Sequence, residues 1–87
     1  MWYNWDRSWW LILRYQELEN KFNTSNEIKF KLFSLEYVIR KVDTGVEVYA
    51  ELYQTKKKVY SSFKDAMEKY TVYNESLVEN IDRINLL

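Results

Sequence analysis

Residues 35–53 restrict the possible folds more than any other stretch, because they hold the only glycine of the chain, Gly45, between two runs rich in β-branched and aromatic residues. Such runs favour β-strands, and a glycine between them supplies the positive φ that a short hairpin loop needs. We therefore predict a β-hairpin with strands at residues 36–42 and 46–53.

The alternation of apolar and charged residues predicts the register of this hairpin. Pairing Val42 with Glu47 gives the hairpin one apolar face, formed by Tyr37, Ile39, Val48, Ala50 and Leu52. The opposite face is then charged, with Glu36, Arg40, Glu47 and Glu51. A pairing shifted by one residue would mix the two sets, because side chains alternate between the faces of a strand.

The flanking segments predict two further strands and three helices. Residues 27–33 alternate apolar and lysine side chains, which is typical of a half-buried strand, and residues 57–61 predict a short edge strand. A helix is predicted over residues 4–22. Ser62 and Asp65 have the spacing of a capping box for a helix that ends near Tyr70, and Asn74 is the predicted cap of a last helix over residues 75–85.

These elements predict one α+β domain spanning residues 1–87: an N-terminal helix, a three- to four-stranded antiparallel β-meander and two short C-terminal helices. An all-α helical hairpin or bundle is the alternative. Apolar residues also recur at heptad spacing, Thr24 and Glu27 match a capping box, and Gly45 could end a helix. The β-branched and aromatic residues around Val46 are poor helix formers, which favours the α+β fold.

The N-terminal helix carries two apolar faces. One contains Leu11, Tyr15, Leu18 and Phe22, and the other contains Trp2, Trp5, Trp9, Ile12 and Leu13. Because the two lie nearly opposite each other at about 100° per residue, a sheet can bury only one of them. The tryptophan face then packs inside the chain, forms a protein interface or anchors to a membrane surface. Asp6 interrupts the apolar run and no basic cluster adjoins it, which argues against the membrane.

The composition excludes most catalytic chemistry. The chain has no histidine, no cysteine and one glycine, so Ser-His and Cys-His nucleophile pairs, a standard structural zinc site and a glycine-rich phosphate loop are ruled out. We expect no enzymatic activity, no cofactor and no metal. The 13 basic and 13 acidic residues give zero net charge, which argues against nucleic acid as a partner. The lack of cysteine favours a reducing compartment, and we expect a cytoplasmic protein.

The surplus of aromatic residues predicts a surface that binds a protein, because rigid aromatic side chains are favoured anchors at interfaces. The predicted partner-binding residues are Trp2, Trp5, Trp9, Trp10, Tyr49 and Tyr53. The partner could be a second copy of the chain, which would make the protein a structural subunit of a homo-oligomer. A nucleic-acid-binding accessory protein is the other alternative, and its predicted contacts are Arg40, Lys56, Lys57 and Lys58.

Residues 31–84 resemble the layout of small accessory proteins from phages and mobile elements of Gram-positive bacteria. The matching pieces are residues 60–67 (YSSFKDAM) and 74–79 (NESLVE), which follow a β-meander. The order of helix, three strands and two helices is also similar to one type of anti-CRISPR inhibitor. That type is strongly acidic, whereas this chain is neutral. The resemblance implies a phage or mobile-element inhibitor that occludes a host or defence protein, and it implies no particular functional residues.

Overall fold

The computed structural model describes the backbone of residues 2–87 and the side chains of residues 9–87. The elements are α1 (Trp2–Ser25), β1 (Glu27–Leu32), β2 (Leu35–Val42), β3 (Gly45–Ala50), a 3₁₀ segment (Glu51–Lys56), β4 (Lys58–Tyr60), α2 (Phe63–Lys69), β5 (Thr71–Val72), β6 (Glu75–Ser76), a 3₁₀ turn (Ile81–Arg83) and β7 (Asn85–Leu86). The predicted α+β class is confirmed, and the all-α alternative is wrong.

Five strands form an antiparallel sheet in the order β4-β3-β2-β1-β7, and β5 pairs with β6 in a separate small hairpin. The fifth strand, β7, returns from the C-terminus to pair with Phe30 and Lys31 of β1. This strand has only two residues, so the sequence shows no alternation that could have predicted it. One face of the sheet is buried against α1, α2 and the C-terminal segment, and its core residues include Ile28, Phe30, Leu32, Ile39 and Val48.

The hairpin of β2 and β3 has the predicted faces but not the predicted register. Val42 pairs with Gly45, and Arg40 pairs with Glu47, so the pairing differs from the prediction by two residues. A shift of two keeps every side chain on its face, because side chains alternate with a period of two. The strand β3 ends at Ala50, and Leu52, predicted to lie on the apolar face, is 73% exposed in the 3₁₀ segment.

Helix α1 packs through the face predicted to be buried. Leu18 and Phe22 are buried, and the Phe22 ring lies 4.9 Å from the ring of Phe63 in α2. The helix continues three residues past the predicted end. It stops at Asn26, whose φ is +60° and whose N–H donates to the Phe22 carbonyl at 2.7 Å. A left-handed residue that satisfies a terminal carbonyl in this way is a common helix stop, and asparagine tolerates it well.

The predicted start of α2 is confirmed. Ser62 has an extended conformation, and its side-chain oxygen accepts a hydrogen bond from the Asp65 N–H at 3.1 Å. The Asp65 carboxylate in turn accepts hydrogen bonds from Ser61 and Lys69. These contacts satisfy an N–H that the helix cannot pair internally and hold a negative charge near the helix start.

The predicted helix over residues 75–85 is wrong. Asn74 lies in the turn between β5 and β6, and a reciprocal pair of hydrogen bonds joins Ser76 to Glu79 instead. This is a capping box, but residues 77–84 after it form only turns and the 3₁₀ turn Ile81–Arg83. Tertiary contacts compete with the helix, because the Leu77 and Val78 N–H groups donate to the carbonyls of Tyr70 and Met67 and residues 85–86 pair with β1.

The fully buried Asn80 organises this C-terminal segment. Its amide nitrogen donates to the carbonyls of Ser76 and Glu75 at 3.1 and 3.4 Å, and its oxygen accepts from Arg83 at 3.3 Å. We expect Asn80→Ala to lower the free energy of unfolding by about 1–3 kcal/mol, because the carbonyls of Ser76 and Glu75 would each lose a side-chain donor and a cavity would replace the buried amide. Urea unfolding would measure this, with the exposed Asn85→Ala as the matched control. Equal effects of the two substitutions would contradict it.

Candidate functional site

Two separate surfaces of the described structure expose several large apolar side chains each. The first lies on α1 and consists of Trp9, Trp10, Ile12 and Leu13, which we call the α1 stripe. These side chains are between 48% and 57% exposed. At about 100° per residue they span roughly 160° of the helix surface, opposite the face that packs on the sheet and α2. The α1 stripe therefore remains accessible because the rest of the fold packs on the other side of the helix.

The structure describes the side chains of two of the four predicted tryptophans, Trp9 and Trp10. Trp9 and Trp10 are exposed, which excludes burial of these two side chains in the core. The predictions for Trp2 and Trp5 concern side chains that lie outside the described residues. Arg14 and Tyr15 follow the stripe on the packed side, where Arg14 donates to the Ile84 carbonyl and Tyr15 contacts the Phe63 ring at 5.8 Å.

The second surface is a groove of about 310 Å³ at one end of the sheet, which we call the tyrosine groove. Three parts of the fold form it: the sheet, the 3₁₀ segment and the hairpin of β5 and β6. Its lining residues are Leu35, Tyr37, Ala50, Tyr53, Lys56, Tyr70, Thr71, Val72 and Tyr73. This volume is at the lower end of the range for ligand pockets in proteins, about 300–1,000 Å³.

The tyrosine groove has a buried apolar floor and an exposed aromatic rim. Tyr37, Ala50 and Val72 are buried at the floor, where the Tyr37 ring meets the Tyr70 ring edge-to-face at 6.3 Å. Tyr53 and Tyr73 at the rim are 53% and 74% exposed. The β5–β6 hairpin, which the sequence did not predict, places Tyr73 at this rim.

Two turns beside the tyrosine groove hold aromatic residues in an unusual backbone conformation. Phe33 and Ser34 connect β1 to β2, Tyr73 and Asn74 connect β5 to β6, and all four have φ between +49° and +67°. Such turns prefer asparagine, aspartate and glycine, so an aromatic residue there costs conformational energy. The Phe33 and Tyr73 rings contact each other at 5.2 Å. Strain of this kind persists only where surrounding contacts hold it, and it often marks functional sites.

The tyrosine hydroxyl groups of the groove lie close to one another. Burial, followed by the hydroxyl groups of Tyr37 and Tyr60, raises the pKa of Tyr70 to about 12. Burial also raises the pKa of Tyr37, as do the nearby hydroxyl groups of Tyr73 and Tyr53. The tyrosines at the floor therefore keep their protons well above neutral pH and remain hydrogen-bond donors.

The sheet face that the helices leave open is covered by charged side chains. Tyr49 belongs to this face and is only 6% exposed, because Arg40 and Lys57 lie 5.8 and 4.9 Å from its ring centroid. Both cations also approach the Glu47 carboxylate, at 2.9 and 3.8 Å. Of the two tyrosines predicted to bind a partner, Tyr53 is therefore exposed in the tyrosine groove, whereas Tyr49 offers little surface.

The predicted basic contacts do not form one patch. Lys56 lines the tyrosine groove, whereas Arg40 and Lys57 lie on the open face of the sheet and pair with Glu47. Lys58 is exposed in the edge strand β4. A surface that follows a phosphate backbone would need these charges on one side of the molecule.

Comparison with known proteins identifies no relative of this chain: no family model, no curated protein and no solved structure matches it. Within the part of the chain that the structure describes, no helix combines the length and the apolar character needed to cross a membrane. Helical periodicity predicted one face with Trp9, Ile12 and Leu13, and Trp10 was predicted only as a partner-binding residue. The tyrosine groove depends on segments that are distant in sequence.

Proposed function

We propose that this chain is a non-enzymatic protein-binding module and that the α1 stripe contacts the partner. The observation that carries this proposal is the exposure of Trp9, Trp10, Ile12 and Leu13 on the side of α1 that faces away from the core. Tryptophan is a favoured anchor at interfaces, and clustered apolar side chains gain free energy when a partner removes them from water. Binding by occlusion requires no catalytic group.

The partner we propose is a host or defence protein, and the chain acts as an inhibitor from a phage or mobile element in the host cytoplasm. This part of the proposal is supported by the resemblance of residues 31–84 to such accessory proteins and by the absence of cysteine. The zero net charge favours an apolar contact over mimicry of nucleic acid.

The test is co-purification of the tagged chain from Gram-positive bacterial cells. Ile12→Ser/Leu13→Ser is compared with a control at exposed positions of α2, Lys64→Ser/Glu68→Ser, because α2 packs on the side of α1 opposite the stripe. We expect one host protein whose recovery falls by about tenfold or more with the first variant and is unchanged with the control, because truncating two interface residues commonly costs more than 1 kcal/mol. Recovery should persist at high salt, since an apolar interface is screened little.

Two other outcomes would contradict the proposal. Light scattering could show that the wild type is a dimer and that only the Ile12→Ser/Leu13→Ser variant is a folded monomer, which would assign the α1 stripe to a homo-oligomer. Alternatively, the chain could recover nucleic acid that is lost as salt rises, which would support the nucleic-acid-binding alternative. Circular dichroism verifies that each variant is folded.

A further inference from the structure

The tyrosine groove shares no residue with the α1 stripe, so it represents a second candidate binding site. It combines an apolar floor, formed by Ala50 and Val72, with tyrosine rings on the floor and rim. Its shape depends on the strained turn that holds Tyr73 beside Phe33. An exposed aromatic residue with positive φ in this turn costs conformational energy, and strain of this kind often marks a functional site.

The hydroxyl groups of the groove are available to a ligand. Among the described residues, no hydrogen bond uses the hydroxyl of Tyr37, Tyr53, Tyr70 or Tyr73, and no buried polar side-chain atom lacks a partner. The hydroxyl groups are therefore accessible from solvent. A tyrosine hydroxyl can both donate and accept a hydrogen bond, so these groups can donate to acceptors that lie along the groove.

The charge of the lining restricts the ligand. Among the residues whose side chains the structure describes, Lys56 is the only charged one that lines the tyrosine groove, and none of the others in the lining is an aspartate or glutamate. A cationic ligand would be repelled by Lys56, whereas a ligand with one carboxylate near the rim would be attracted. The complementary ligand is therefore apolar, rich in hydrogen-bond acceptors and weakly acidic.

We propose that the tyrosine groove binds an extended, proline-containing peptide segment with an acidic residue beside its prolines. In the polyproline II conformation the backbone makes no internal hydrogen bonds, so its carbonyls are free to accept from the tyrosine hydroxyls. The proline rings pack on the faces of Tyr53 and Tyr73, and the acidic residue pairs with Lys56. Recognition of such segments by aromatic-lined grooves has a low entropic cost, because the peptide is already extended.

The test is a titration of the isotope-labelled chain, followed by two-dimensional NMR. The probe is a short polyproline peptide with a central glutamate, compared with the same peptide carrying lysine and with a glycine-serine peptide of equal length and charge. We expect saturable shifts of groove residues with the glutamate peptide and weaker binding of both others. Tyr53→Ala should weaken binding by about tenfold, whereas Leu52→Ala, which removes the adjacent exposed side chain outside the groove, should change it little.

Two further variants make the test specific. Tyr73→Asn keeps a residue that tolerates positive φ, so the turn is retained while the ring is lost, and it should also weaken binding by about tenfold. Lys56→Glu should reverse the preference, so that the lysine peptide binds better than the glutamate peptide. The spectrum of each variant shows directly whether the fold is intact.

The proposal would be overturned if the glycine-serine peptide bound equally well, if no groove residue shifted at millimolar peptide, or if single-stranded DNA bound the groove in preference to the peptide. Peptide binding to the tyrosine groove does not depend on whether the α1 stripe binds a partner protein. The Ile12→Ser/Leu13→Ser variant should retain full peptide binding, and a loss there would assign the peptide to the α1 stripe instead.

Discussion

Replacing Phe30 with alanine is expected to lower the free energy of unfolding by about 3–5 kcal/mol, the usual cost of deleting a fully buried phenylalanine. Phe30 is completely buried in β1, and its ring stacks on the Tyr37 ring at 5.5 Å. Small domains have total stabilities of about 5–15 kcal/mol, so this one change would remove a large part of the margin. Chemical denaturation followed by tryptophan fluorescence and circular dichroism would measure it.

The matched control is Phe33→Ala, because Phe33 lies three residues along the chain but is partly exposed in the β1–β2 turn. We expect it to cost at most about 1 kcal/mol, since the ring contributes only an edge-to-face contact with Tyr73. If both variants lost the same stability, the sheet face that contains Phe30 would not be the core.

Replacing Gly45 with alanine is expected to cost about 3 kcal/mol or more, because two effects add. The φ of Gly45 is +145°, a conformation that residues with a side chain rarely adopt. A Cβ built there would clash with the Tyr60 carbonyl oxygen, which belongs to the backbone of β4. The clash cannot be relieved by rotating a side chain, so β4 would have to move away from β3.

The control for this substitution is Thr44→Ala, in the same turn but without positive φ. A surface change of this kind should alter stability by about 0.5 kcal/mol or less. Denaturant midpoints give the comparison, and hydrogen exchange of the β4 amides would show whether the edge strand has separated. A stable Gly45→Ala variant with protected β4 amides would contradict the close approach of β3 and β4.

The sequence predicted the importance of Phe30 and of Gly45 to different extents. The alternation around Phe30 in residues 27–33 already predicted burial of that side chain, and the strand β1 confirms it. Gly45 was predicted as a turn residue, but its contact with Tyr60 was not, because Tyr60 lies in a strand whose position depends on how the sheet assembles. The local sequence pattern therefore predicted that both Phe30 and Gly45 are important for the fold. For Gly45, the contact that makes a side chain costly is visible only in the tertiary structure.

The two candidate binding surfaces also differ in how far the local sequence predicted them. Helical periodicity separated the two apolar faces of α1, and the exposure of Trp9, Ile12 and Leu13 agrees with a face that the sheet cannot cover. No sequence pattern predicted the tyrosine groove, although Tyr53 was among the predicted partner-binding residues. Its floor joins Tyr37 of β2 to Tyr70 at the end of α2, and these residues are brought together only when α2 packs on the sheet.

The sequence by itself determined the α+β class, the long first helix, the two faces of the central hairpin and the capped start of α2. Each depends on residues within a few positions of one another, whose spacing and conformational preferences act before the chain folds. The tertiary structure decided the short strand β7, the loss of the last helix around buried Asn80 and the assembly of the tyrosine groove. These depend on contacts between distant segments, whose free energies exceed the weak local preferences of two to six residues.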